Sequence, residues 1–109
     1  MSYDLTIRGD RGINKSRLRA QLVECGLSAD SDDHLLLVIS GEQCADMDLV
    51  WETHNKGDQP SDAVNCIQVH IPYAFLESRL PEIAAQCVRI ANTLKWKVFD
   101  EQEGKYVTE

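Results

Sequence analysis

Residues 80–99 read LPEIAAQCVRIANTLKWKVF, and this stretch decides the fold. Leu80, Ile83, Ala84, Cys87, Ala91 and Leu94 recur at the three- and four-residue steps of one helix face, widened by Val88 and Ile90. The pattern predicts an amphipathic helix. Pro81 suits a first helical turn, where an amide hydrogen would have no partner, so the helix is expected over about 81–94. Leu94 runs directly into Trp96-Lys97-Val98-Phe99, which reads as a strand; Asp100 to Gly104 is a polar turn, and Lys105-Tyr106-Val107 can pair back as a hairpin arm. A helix with one apolar stripe must bury it against another layer. Ile83, Cys87, Val88, Ala91 and Leu94 are the expected core contributors.

Upstream, Asn65 to Ile71 alternates Ile67, Val69 and Ile71 against Cys66, Gln68 and His70, the period of a half-buried strand that Pro72 stops. Asp46 to Thr53 alternates too, with Met47, Leu49, Trp51 and Thr53 inward and Asp46, Asp48, Val50 and Glu52 outward. The turn-rich His54–Asp62 segment suits an exposed connection between these strands. His34 to Ser40 is apolar on both faces and too short for a typical helix, which predicts a central strand. Tyr3 to Ile7 alternates Tyr3, Leu5 and Ile7 against Asp4 and Thr6, and Gly9-Asp10-Arg11-Gly12 then reads as a turn. Asn14 can cap a helix carrying Leu18, Leu22 and Cys25, which Gly26 ends in the left-handed region. The order β-α-β-β-β-α-β, with a possible terminal strand, predicts an α+β domain: a two-layer, largely antiparallel sheet with two helices packed on one face.

One domain accounts for all 109 residues and 12.3 kDa, because a chain this short rarely closes two cores. Its 43% hydrophobic and 27% charged residues are those of a globular protein. A formal charge of −7 argues against nucleic acid or anionic lipid as a partner, since both are bound through clustered lysine and arginine. The longest apolar run, Leu35–Ile39, is far too short to cross a bilayer. The opening Met1-Ser2-Tyr3-Asp4-Leu5 lacks the basic and apolar regions of a secretory signal, so a cytoplasmic location is expected. Cys25, Cys44, Cys66 and Cys87 have no paired C-x-x-C spacing, and the expectation is four free thiols acting as small hydrophobes.

Sequence motifs for catalysis are missing. His34, His54 and His70 lack the spacing of a helical metal site, no serine sits in a nucleophile elbow, and the glycine cluster at 9–12 lacks the lysine of a phosphate loop. Cys66 and His70 lie on one strand face but ~13 Å apart by the strand rise, too far to form a thiolate–imidazole pair. Asp30-Ser31-Asp32-Asp33 lacks the glycine and distant glutamate of a calcium loop. The chain therefore reads as non-enzymatic, with no cofactor and no metal. Trp51 and Trp96 are expected in the core.

Charge distribution is more informative. Residues 1–20 carry a net +3, residues 21–62 a net −9 and residues 63–109 a net −1. Asp46, Asp48 and Glu52 project from one side of a strand, and Asp30, Asp32, Asp33 and Asp58 come from flanking loops, so these seven are the candidate partner-binding residues.

The opening Met1–Leu5, the strand Val69-His70-Ile71-Pro72-Tyr73 and above all Ile90–Gly104 resemble segments of small bacterial immunity proteins, often encoded beside secreted polymorphic toxins. The resemblance implies a protein that binds and blocks one toxin domain, and an acidic surface would suit a basic toxin domain. No functional residue carries over, because this class shares no binding motif. The alternative reading is a small regulatory or small-molecule-binding α+β domain, which a well-formed apolar pocket would favour. A flat acidic face with exposed aromatics would favour the first reading.

Overall fold

The computed structural model describes residues 2–31, 33–51, 63–73 and 76–107. The chain runs β1 (Ser2–Asn14), α1 (Lys15–Glu24), β2 (Ser28–Ala29), β3 (His34–Ile39), β4 (Glu42–Val50), β5 (Ala63–Pro72), α2 (Leu76–Leu94), β6 (Lys97–Asp100) and β7 (Lys105–Val107). The strands form one antiparallel sheet in the order β2-β3-β4-β5-β1-β6-β7. Both helices share a single hydrophobic core with it, which makes the fold α+β. The expected element order holds, with the short β2 added and the hairpin arm realised as β7.

Cross-strand register sorts the sheet into two faces. Leu35, Met47, Val69 and Leu5 stand in one row, and Leu49, Ile67, Ile7 and Val98 in the next. All eight are buried. Because side chains alternate along every strand, the intervening rows face outward: His34, Asp48, Gln68, Thr6, Phe99 and Tyr106 in one, Leu36, Asp46, His70 and Asp4 in the other.

Helix α1 carries Leu18 and Leu22 into the core, and the Asn14 side chain accepts a hydrogen bond from the Arg17 amide at 3.2 Å as its N-cap. Its C-terminus closes with Gly26 at φ +101° and amides of Gly26 and Leu27 donating to Val23 and Leu22, the reciprocal pair of a Schellman cap. Cys25 is exposed, against expectation, since it caps the helix at the bend. Cys44, Cys66 and Cys87 are buried, and none of the four cysteines forms a disulfide. In α2, Ile83, Cys87, Val88, Ile90 and Ala91 are buried, while Leu80 and Leu94 pack partly buried at the margin.

Four further expectations need correction. The Gly9–Gly12 stretch is not a turn but part of β1, where pairing with β5 jumps from Arg8–Cys66 to Ile13–Val64. Strand β3 is not central: it lies one place from the edge, and β5 occupies the middle of the sheet. Pro81 does not begin its helix, which starts at Leu76; the proline removes one intrahelical hydrogen bond near the N-terminus, where the loss is least felt. The strand from Asp46 also starts earlier, at Glu42, after a turn in which Ser40 and Gly41 both have positive φ. There a bulge opposite Leu37 and Val38 brings Cys44 and Ala45 inward in succession.

Candidate functional site

On the outward face of β3, β4, β5 and β1, two imidazoles join four carboxylates into one continuous chain. His34 Nδ1 lies 2.9 Å from Asp30 Oδ2, and its Nε2 lies 3.3 Å from Asp46 Oδ1 and 4.0 Å from Asp48 Oδ1. His70 Nε2 approaches Asp48 Oδ2 at 3.4 Å, and its Nδ1 meets Asp4 Oδ1 at 2.8 Å. Asp48 therefore touches both rings.

Strand geometry explains the assembly. Asp46 and Asp48 are two residues apart on β4 and share its outward face. The register sets His34 opposite Asp48 and His70 between Asp46 and Asp4. Asp30 reaches the group because the β2–β3 connection is tight, with the Asp30 and Ser31 amides both donating to the His34 carbonyl. The six side chains are between 26% and 59% exposed, so the group is open to solvent along its length.

The His34 imidazole is held above its ordinary pKa of 6.5, chiefly by the hydrogen bond to Asp30, with the charges of Asp48, Asp46 and Asp30 adding to it and partial desolvation opposing. Among the described residues, the ion pairs of Asp30, Asp46 and Asp48 run to imidazoles alone. Among them too, no group of three or more His, Cys, Asp or Glu side chains has a geometry that could hold a metal ion.

The β6–β7 hairpin is fastened beside this group. Asp100, buried on β6, accepts the Tyr3 hydroxyl at Oδ2 and the Gln102 and Glu103 amides at Oδ1. The Thr6 hydroxyl donates to Glu101 at 2.7 Å and the Asp4 amide to the Gln102 side chain at 2.8 Å. Beyond these contacts, Phe99 and Tyr106 pack edge to face at 5.3 Å between centroids, with Lys97 over the Tyr106 ring. The outward face thus passes from carboxylates and imidazoles on β3–β5 to aromatics and lysine on β6–β7.

Of the seven sequence candidates, Asp30, Asp46 and Asp48 come together around His34. Asp33 is exposed, its side chain accepting the Ser31 hydroxyl at 3.2 Å in the adjoining loop and its carbonyl the Leu49 amide at 2.8 Å. Asp32, Glu52 and Asp58 lie outside the described residues. Sequence reasoning passed over Asp4, His34 and His70 as parts of this group. Their outward positions follow from strand alternation, but their meeting depends on register between strands far apart in the chain. Trp96 is buried as expected and Trp51 half-buried.

Among the described residues, no helix is long and apolar enough to cross a membrane. Compared with known proteins, the chain matches no family model, no curated protein and no solved structure.

Proposed function

We propose that this chain is a non-enzymatic binding protein of the immunity type, acting in the cytoplasm, and that its open carboxylate–imidazole face engages a basic protein domain, a toxin that it neutralises. The observation that carries the reading is the run of Asp30, Asp46, Asp48 and Asp4 along one solvent-open sheet face, joined by His34 and His70. Carboxylates so arranged accept charge-assisted hydrogen bonds from arginine and lysine, and their summed field speeds encounter with a cationic surface. Tyr106, 61% exposed, supplies an aromatic of the kind that anchors interfaces at the other end of the same face. Four cysteines that form no disulfide suit a reducing compartment.

The test pairs this chain with the product of its neighbouring gene and follows association across a salt series. Asp46→Lys/Asp48→Lys is expected to slow association about tenfold or more and to flatten its salt dependence, while at alkaline pH, where His34 is neutral, the unfolding midpoint moves little because the replaced charges are part-exposed. An unchanged association rate for the double variant would reduce the face to a solubility surface.

A further inference from the structure

The helix layer stops short of the last strand. Helix α2 rests on β6, β1 and β4, and α1 on β1, β2 and β5. Between the last turns of α2 and the β6–β7 hairpin a cleft of about 360 Å³ opens at the sheet margin. Val88 and Ala91 wall it from the helix and Val98 and Val107 from the sheet, with Trp96 beside them. Strand β7 ends the sheet order, and among the described residues nothing pairs with its outer edge. An edge strand presents unpaired N–H and C=O groups that another extended chain can take up. The opposite edge, β2, offers only two exposed residues. Two lysines stand at the cleft: Lys97 lines it, and Lys95 joins Lys97 and Arg8 in the adjoining hollow against Trp96 and Phe99, while Lys105, which begins β7, is paired with Glu103 at 3.6 Å.

We propose that β7 and this cleft bind an extended peptide segment of a partner protein, with one apolar side chain as anchor and acidic residues on either side. The segment adds as an eighth strand. Because side chains alternate along it, the anchor enters the cleft and completes the core that α2 leaves uncovered, while its neighbours turn toward the opposite face of the sheet. Lys95 and Lys97, which stand with Phe99 and Tyr106 on that opposite face, select acidic neighbours. The same lysines count against a second copy of this chain as occupant, since pairing β7 with β7 would bring two sets of like charges together. The site lies at the other end of the sheet from the carboxylate–imidazole group, and its own peptide probe tests it apart from that reading.

The probe is a six-residue capped peptide that alternates valine and glutamate around a central phenylalanine, compared with the same peptide carrying lysine for glutamate. Titration of the acidic peptide is expected to shift the amide signals of residues 105–107 and the Trp96 emission together. Asn92→Phe, made at an exposed position of α2 that lines the cleft, fills it and is expected to weaken binding about tenfold. Lys97→Glu is expected to weaken the acidic peptide about threefold and to favour the lysine peptide instead. Three results overturn the proposal: no shift at residues 105–107 up to roughly millimolar peptide, equal affinity for both peptides, or a dimer of the chain alone that Asn92→Phe abolishes.

Discussion

Two glycines in β1 are explained by two tryptophans. A Cβ placed on Gly9 would lie 2.1 Å from Trp96 Cδ1, and one on Gly12 would lie 2.6 Å from Trp51 Cζ3. The indoles occupy the space that side chains would take, so the glycines that read as a turn are sites of close approach within a strand. Gly9→Ala is accordingly expected to cost about 1–3 kcal/mol through overpacking against a buried ring, measured as a lower urea midpoint; an unchanged midpoint would mean that Trp96 can shift freely. Tyr3 gives a second expectation. Its hydroxyl donates to Asp100, and this bond, aided by burial and by the charges of Asp100 and Glu103, raises its pKa from 10.0 to about 12. A folded-state pKa raised in this way means a contribution to stability that is full below pH 10 and lost as pH rises toward 12. Tyr3→Phe is expected to be less stable than the parent at neutral pH, with the gap narrowing over that alkaline window; a gap independent of pH would show that the hydroxyl is not the cause.

At the scale of elements, α2 has the clearest signal in sequence and the largest share of testable packing. Ile83 is fully buried, and Ile83→Ala is expected to cost about 2–5 kcal/mol, read from denaturant unfolding. The two helix C-termini make an instructive pair. Gly26 ends α1 and Lys95 ends α2 with the same reciprocal hydrogen bonds, Lys95 donating to Asn92 at 3.3 Å and Trp96 to Ala91 at 2.8 Å, but Lys95 holds φ +61° with a side chain attached. Lys95→Gly is therefore expected to stabilise the protein by about 1 kcal/mol; a lower melting temperature would refute this and show that the lysine side chain matters more than its backbone strain. Periodicity located both helices, the three alternating strands and the terminal hairpin, because each of those patterns is local. It misplaced the start of α2, since Pro81 is tolerated inside the first turns as well as at the first position. It also misjudged β3: Leu36 and Val38 are only partly buried on its second face, and an apolar run of five residues does not reveal how many strands lie beyond it.

Taken whole, the molecule has a sheet whose outward face passes from carboxylates and imidazoles to aromatics and lysine; the uneven charge along the chain foreshadows the acidic part, but strand order alone assembles it. Asp46 and Asp48 could be assigned to one face from alternation alone. Their imidazole partners could not, because His34 and His70 reach them through pairings that only the folded register supplies. If the proposed binding reading holds, that arrangement gives folding and binding opposite responses to pH. The His34 pKa is raised above 6.5 by Asp30, Asp48 and Asp46, so its charged form stabilises the fold below pH 6.5, and this contribution is lost as pH rises through the raised value. Over the same interval the face loses one positive charge. On the reading that it engages a basic domain, affinity is expected to strengthen as stability declines, with release of a proton on binding. Proton NMR is expected to show His34 titrating above an ordinary histidine and Asp30→Asn bringing it down. His34→Gln is then expected to flatten both the pH profile of unfolding and that of association in this window. Loss of the stability profile alone, with association still tightening as before, would separate the imidazole from the binding surface and move the partner contact elsewhere on the molecule.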